Sequence, residues 1–198
     1  VSRSRELVEK ASGGRIGYLH LPDTYLPGVA AFFRQAPALL HKEGLILDIR
    51  GNGGGYSPVW MIERLSRRVI FRSSLPHGKA SIAEPDPVFA GLKACLIDEG
   101  VESSGETFAA IFRQWDVGPI IGRRTAGRLA STGGMRLVDG GVLVYPAEGK
   151  GVIENAGVSP DIDVENRPED AIEVANTRRQ ARERLPAFLN FCPVGRAV

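Results

Sequence analysis

The chain has 198 residues, of which 43% are hydrophobic and 24% are charged, and its formal net charge is +2. These values are typical of one folded domain with a sizeable core, and apolar runs between the 24 glycines argue against disorder. The small net charge argues against a basic nucleic-acid surface and against an acidic tail. No apolar stretch is long enough to span a bilayer, so we expect neither a nucleic acid nor a membrane as a partner.

The two cysteines, Cys95 and Cys192, are too few for a disulfide scaffold. Cys95 stands in an apolar run, which favours a buried core residue. No spacing of cysteine and histidine resembles a zinc site, so we expect neither a metal nor another cofactor. The first residue is Val1 rather than Met. We expect residues 1–198 to form a single domain and to be a piece of a longer chain.

Helix and strand patterns alternate along the first third of the chain. They predict a helix over 1–12, a strand over 15–20, a helix over 27–40, a strand over 44–49 and a helix over 57–68. The run 44–49 is apolar almost throughout, which is typical of a strand buried on both faces of a parallel sheet. His20 closes the first strand, where a histidine is more often a satisfied structural group than a catalytic one.

The rest of the chain continues this alternation. It predicts a strand over 69–74, an irregular connection over 76–87, a strand over 92–97, a helix over 105–115, a strand over 118–122, a hairpin of 135–138 and 142–145, an ordered connection over 151–164 and a helix over 169–185. Strands alternating with helices favour an α/β domain with a partly parallel sheet. His77 lies in the irregular connection, where no carboxylate at a recognisable spacing would orient it for catalysis.

Two serines, Ser103 and Ser104, stand in the turn between the strand 92–97 and the helix that follows. The free N–H groups and the dipole of a helix N-terminus favour the negative charge that an attacked carbonyl oxygen develops. The turn can therefore hold a serine nucleophile. Alternatively, one of the serines caps the helix and Glu106 completes a capping box.

A glycine loop, defined as residues 50–55, follows the strand 44–49. Its three consecutive glycines leave N–H groups unshielded by side chains, so the loop can approach a substrate or an oxyanion closely. A dinucleotide-binding fingerprint would need glycine at Tyr56, and no Gly-Lys-Ser/Thr of a phosphate loop is present. The loop is therefore either a donor of backbone hydrogen bonds or a crowded turn without a ligand.

Two acidic residues close apolar runs and could be taken for catalytic acids. Asp48 lies near the end of the run 44–49, and Asp98 follows the run 92–97. A carboxylate at the end of a strand is well placed to accept hydrogen bonds from loop amides. We therefore expect both residues to be structural.

Four blocks together carry a resemblance to a known family. They are GLILDIRGNGGG at 44–55, LIDEGVESSGETF at 96–108, GPIIGRRTAG at 118–127 and IENAGVSPDIDV at 153–164. In this order the chain resembles the tail-specific, or carboxyl-terminal processing, serine proteases, and within them the tricorn branch. The similarity runs from about Arg15 to about Asp170. It implies a ClpP/crotonase-like fold, in which ββα units stack around a mixed, partly parallel sheet.

The resemblance also assigns the residues of a candidate site. The family's nucleophile falls on Ser103. The backbone N–H of Ser104 would form an oxyanion hole with an N–H of the glycine loop, for which Gly53 and Gly54 are the candidates. The acid that the tricorn branch carries near its carboxyl end falls on Glu154, and its role would be to help order the base.

The base itself distinguishes the branches of the family. The Ser–Lys members place a lysine base in a Phe-Gly-Lys-Gly motif, which here reads AGRL at 126–129. Arg128 stays protonated at any ordinary pH and cannot act as a general base. The tricorn branch uses a histidine from an upstream helical segment that has no counterpart here. The resemblance therefore implies that residues 1–198 are the carboxyl-terminal catalytic core of a longer serine peptidase, with an acyl-enzyme at Ser103 and a base supplied from outside these residues. We predict little activity of the isolated chain.

Two alternatives stay open at this stage. One is a domain of the same fold that binds peptides or other ligands without cleaving them, and the other is a crotonase-type acyl-CoA enzyme. An α/β-hydrolase is disfavoured, because the nucleophile elbow would need glycine at Val101. If the resemblance holds, it implies peptide substrates, a homo-oligomer in the full-length protein and a cytoplasmic location.

Overall fold

A computed structural model describes residues 2–56, 58–74, 81–86, 89–130, 132–146 and 153–165. The helices are α1 (Ser2–Ser12), α2 (Leu26–Gln35), α3 (Val59–Ser66) and α4 (Ser104–Gln114). The strands are β1 (Ile16–His20), β2 (Gly44–Asp48), β3 (Phe71–Ser74), β4 (Ser81–Glu84), β5 (Leu92–Ile97), β6 (Ile120–Gly122), β7 (Thr132–Arg136), β8 (Val142–Pro146) and β9 (Ile162–Asp163). Within these ranges no helix is both long and apolar enough to cross a membrane.

A five-stranded sheet in the order β1-β2-β5-β6-β9 forms the centre of the described fold. All four neighbouring pairs are parallel. The prediction of an α/β domain is thus confirmed, and this sheet is parallel throughout where a mixed one was expected. The two remaining strand pairs, β3-β4 and β7-β8, are antiparallel and stand apart from it.

The main core lies on one face of the sheet. There α2, α3 and α4 cover the buried side chains of β1, β2, β5 and β6, and these include Leu19, Leu47 and Ile97. The helices contribute three fully buried phenylalanines, Phe32, Phe108 and Phe112. The alternate residues of β1, Ile16 and Tyr18, point to the opposite face and pack with Val8 of α1. Successive strand residues face opposite sides, so apolar runs such as 44–49 serve both.

Most predicted elements are confirmed within a few residues, and three differ for physical reasons. The predicted connection over 151–164 ends in β9, which has two residues and is too short to leave a strand pattern in the sequence. The predicted helix over 27–40 becomes α2 followed by a short 3-10 helix, Ala36–Leu39. Pro37 lacks an N–H donor and crowds the preceding turn, so the α-helix ends before it. The predicted irregular connection over 76–87 was wrong where it contains β4, which pairs with β3. The side chains of β3 are all exposed, so this ladder leaves no alternating burial pattern in the sequence.

The remaining predictions concern the hairpin, the two cysteines, His77 and the last helix. The hairpin is confirmed as β7 and β8, and Cys95 is buried in the core as expected. His77, Cys192 and the predicted helix over 169–185 lie outside the described residues.

An ion pair between the buried Asp48 and the partly exposed Arg50 lies at the carboxyl end of β2. Asp48 is 2% exposed and accepts hydrogen bonds from the Tyr18 hydroxyl at 2.5 Å and from Arg50 Nε and Nη2 at 2.9 and 2.6 Å. Its Oδ1 also accepts the Arg50 backbone N–H at 3.1 Å. Burial alone would raise the pKa of Asp48, but the Arg50 guanidinium, the Tyr18 hydroxyl and the Arg50 N–H outweigh it and hold the pKa below its usual range. Asp48 thus fixes the start of the glycine loop, as its structural assignment predicted.

We predict that Asp48→Asn lowers the free energy of unfolding at pH 7 by about 2 kcal/mol, because charge-assisted hydrogen bonds to Arg50 are lost. The carboxyl of the folded protein has a depressed pKa, so its contribution is fully present above the unfolded value of about 3.9 and is lost as pH falls through the folded value. Denaturant unfolding of the intact protein and the variant should show a constant gap near neutral pH that closes in acid. A gap that persists unchanged at about pH 2 would contradict this.

Candidate active site

The glycine loop and the Ser103 turn lie side by side at one edge of the sheet. The two segments follow β2 and β5, which are parallel neighbours with Asp48 opposite Leu96. Carboxyl ends of parallel strands meet at one edge, where open α/β sheets place their ligands. Asp98 joins the loops, since its Oδ1 accepts the Gly51 N–H at 2.8 Å and the Gly100 N–H at 3.0 Å. The structural assignment of Asp98 is therefore confirmed.

Ser103 has an unusual backbone at the start of α4. Its φ is 51° and its ψ is −125°, a conformation that residues other than glycine rarely adopt and that is often found at functional sites. Its side chain makes no capping hydrogen bond. The capping-box alternative was thus wrong, because this backbone places the side chain against the glycine loop and the Glu106 carboxylate bonds elsewhere.

Gly54 provides the surface on which Ser103 rests. Its φ is +90°, and a Cβ added there would lie 2.6 Å from Ser103 Cβ and 3.0 Å from Ser104 N. No larger residue fits without moving the serine turn. The buried Asn52 fixes the Gly54 backbone, because its Oδ1 accepts the Gly54 N–H at 2.9 Å while its Nδ2 donates to Leu21 O at 2.8 Å.

Backbone donors for an oxyanion come from both sides of this contact. Ser104 is the first residue of α4, so its N–H lacks an intrahelical acceptor. Neither this N–H nor that of Gly53 donates to another group among the described residues, whereas the Gly54 N–H is bound by Asn52. The Ser104 hydroxyl donates to Gly55 O at 2.9 Å and ties the turn to the loop.

The segment 125–130 completes the site on its other side. Arg128 O accepts the Ser103 N–H at 2.8 Å. Glu154 Oε2 accepts the N–H groups of Leu129 at 2.8 Å and Ala130 at 2.7 Å. The carbonyl that binds Ser103 and the Leu129 N–H that binds Glu154 therefore belong to the same peptide unit. Oε1 of Glu154 accepts no hydrogen bond within the described part of the chain.

Glu106 is a buried residue that the sequence assigned only to helix capping. It is 0% exposed, and its Oε1 accepts the Thr125 hydroxyl at 2.5 Å and the Gly127 N–H at 2.7 Å. Its Oε2 accepts the Arg128 N–H at 2.7 Å. Thr125 Oγ1 in turn accepts the Val158 N–H at 2.7 Å. The spacing of Glu106 from Ser103 is that of a capping box, so no sequence signal distinguishes this long-range role.

Arg128 carries no basic group that could deprotonate Ser103. Its guanidinium pairs with Glu102 at 2.6 Å, and its side chain is 72% exposed. No histidine of the described ranges is hydrogen-bonded to Ser103. Among the same residues, no three His, Cys, Asp or Glu side chains come together as a metal site.

The model of Peptidase family S41 matches residues 15–164, which is most of the chain. The chain belongs to peptidase family S41. Tricorn protease homolog 1 of Streptomyces coelicolor is 36% identical over 177 residues, covering 86% of this chain and 16% of that protein. The tricorn protease of Thermoplasma acidophilum is 35% identical over 178 residues, again covering 86% of this chain and 16% of the relative. The resemblance to the tricorn branch of this family is thereby confirmed.

Two solved protease structures are similar in fold to this chain. The crystal structure of the tricorn protease superposes with a TM-score of 0.77 at 30% identity, over 94% of this chain and 19% of that chain. The photosystem II D1 C-terminal processing protease shares the fold with a TM-score of 0.57 at 24% identity, over 84% of this chain and 46% of that chain. This S41 chain thus spans about one sixth of the length of the two curated relatives.

We predict that Ser103→Gly is more stable than Ser103→Ala by about 1 kcal/mol, because glycine adopts positive φ without Cβ strain. Both variants lose the hydroxyl, so the difference between their free energies of unfolding reports the cost of the positive φ at position 103. Thermal unfolding of the two variants of the intact protein measures it. An alanine variant as stable as the glycine variant would show that position 103 is not strained.

Proposed function

We propose that this chain is the catalytic core of a serine peptidase that cleaves peptides through an acyl-enzyme at Ser103. The observation that carries the proposal is the Ser103 side chain, held on a strained backbone at the N-terminus of α4 and in contact with Gly54. Membership of S41 and the likeness to tricorn proteases support it. A ClpP/crotonase-like classification is part of the same proposal.

In this mechanism Ser103 Oγ attacks the carbonyl carbon of a peptide bond while a base takes the hydroxyl proton. The carbonyl oxygen becomes an oxyanion, which the N–H groups of Ser104 and Gly53 stabilise, since the Gly54 N–H already donates to Asn52. The C–N bond then breaks, and the leaving amine takes the proton from the base. Water attacks the resulting ester by the same route and releases the second product and the free serine.

The base is proposed to be a histidine from outside the 198 residues. Arg128, at the lysine position of the Ser–Lys members, is paired with Glu102 and stays charged. Glu154 is suited to orient such a histidine, because Leu129 and Ala130 hold its Oε2 and leave Oε1 for a further donor. The oligomeric assembly and the cytoplasmic location implied by the resemblance stay predictions.

We predict that a fluorophosphonate labels the intact protein on Ser103, because the probe captures an activated serine hydroxyl. Peptide mapping of the adduct locates the site. Ser103→Ala should abolish labelling and peptidase activity. The matched control Ser66→Ala should retain both, because among the described residues the Ser66 hydroxyl bonds only to Glu63 O within α3. An adduct on another residue, or no adduct despite peptidase turnover, would refute the assignment.

We predict that Gly54→Ala slows acylation of Ser103 by about 100-fold, because the added Cβ would push the glycine loop away from the oxyanion. The rate of fluorophosphonate labelling measures this. Gly134→Ala is the matched control, since its Cβ would meet only Val142 at an ordinary 3.6 Å. Equal labelling rates for the two variants would show that the Gly54 contact is not needed for acylation.

A second candidate function is a domain that binds peptides without cleaving them. The described residues present no base hydrogen-bonded to Ser103, which is the observation that favours it. Ser103→Ala separates the two, because ligand binding, or the acyl-CoA chemistry of a crotonase-type enzyme, would persist in the variant. We also expect the isolated chain to be nearly inactive, and robust turnover by it would contradict an external base.

A further inference from the structure

We propose that Glu106 is a positioning residue that keeps Ser103 in its reactive orientation, an inference that rests on the proposed role of Ser103. The Glu106 carboxylate lies wholly inside the protein and takes three hydrogen bonds, all from the segment 125–128. None of these donors belongs to the first turn of α4. Its partners therefore connect the helix to a distant loop and leave the helix terminus without this side chain.

The connection continues directly to the nucleophile through Arg128. The N–H of Arg128 donates to Glu106 Oε2 at 2.7 Å, and the carbonyl of the same residue accepts the Ser103 N–H at 2.8 Å. Glu106 thus determines where the Arg128 backbone lies, and that backbone fixes the direction of the Ser103 N–H. Because φ of Ser103 is +51°, this restraint bears on a conformation that needs its surroundings to persist.

The helix supplies the rigid support for this restraint. Ser103 and Glu106 are the N-cap and the third residue of α4, and Phe108, Ala109 and Phe112 of the same helix are fully buried. The chain of contacts from Ser103 along the helix to Glu106, across to Arg128 and back to Ser103 is therefore closed. A closed ring of this kind holds the serine more firmly than a single hydrogen bond does.

Glu106 and Glu154 divide the four consecutive N–H groups of 127–130 between them. Glu106 binds the first two and Glu154 the last two. Both oxygens of Glu106 are occupied and the side chain has no access to solvent, so it is suited to positioning alone. Glu154 keeps one oxygen without a partner among the described residues and is partly exposed, which suits contact with a base.

The test is Glu106→Gln in the intact protein. Glutamine keeps the shape, but its NH2 group cannot accept, so one of Gly127 and Arg128 loses its acceptor. We expect kcat to fall by about 100-fold with KM within about threefold, because a small displacement of the nucleophile affects chemistry more than binding. Fluorophosphonate labelling should slow in parallel, with its adduct still on Ser103.

The matched control is Asp161→Asn. Asp161 Oδ2 also accepts a backbone N–H, that of Ile120 at 2.7 Å, and its Oδ1 pairs with Arg113 at the opposite end of α4 from Ser103. This variant should keep wild-type kcat and labelling rates. If Glu106→Gln also keeps them, or loses thermal stability alone with normal kcat below its melting temperature, the positioning role is overturned.

A pair of variants at Thr125 decides the matter if Glu106→Gln does not fold. Thr125→Ser keeps the hydroxyl that donates to Glu106, whereas Thr125→Val removes it. We expect about a 10-fold fall of kcat in the valine variant and near-normal kcat in the serine variant, since valine loses the charge-assisted hydrogen bond to Glu106 and also the acceptor of the Val158 N–H. Equal kcat values would overturn the role of Glu106. Labelling of the wild type at another residue would instead overturn the proposed function itself, and this inference with it.

Discussion

The parallel pairing of β2 with β5 is the constraint on which the candidate site depends. It brings the ends of two buried strands together, so the glycine loop and the Ser103 turn emerge at the same edge. Asp48 anchors the glycine loop through its first residue, Arg50, and Asp98 joins the two loops through backbone N–H groups. Strand order and register therefore determine where the two loops of the candidate site lie.

At this edge the glycine loop packs closely against the Ser103 turn, and this contact takes the place of a helix cap. The Ser103 side chain makes no capping hydrogen bond and instead contacts Gly54, where an added Cβ would not fit. The cost of the strained backbone is offset by hydrogen bonds from Ser103 N to Arg128 and from the Ser104 hydroxyl to Gly55. Strain of this kind persists only where the surrounding structure over-determines it, and here the glycine loop and segment 125–130 do so from two sides.

Much of this arrangement could be predicted from the sequence because it is local or periodic. The apolar runs identified four of the five strands of the parallel sheet, β1, β2, β5 and β6. Ser103 was assigned by the resemblance that the ordered blocks carry, at a serine turn before a helix. The role of Glu106 could not be predicted, because its spacing from Ser103 matches a capping box and its real partners lie about 20 residues away. The strand β4 was missed since its pairing with β3 buries too little to pattern the sequence. Both failures concern tertiary contacts that local spacing does not encode.

The peptide unit between Arg128 and Leu129 has a consequence for how the site responds to perturbation. Its carbonyl holds the proposed nucleophile and its N–H holds the proposed acid. Rotation of this one planar group would displace both contacts at once, because a peptide unit turns as a rigid body. The positions of Ser103 and Glu154 are therefore coupled through this peptide unit. Substitutions on either side of that plane should combine non-additively, as thermodynamic cycles between neighbouring groups reveal.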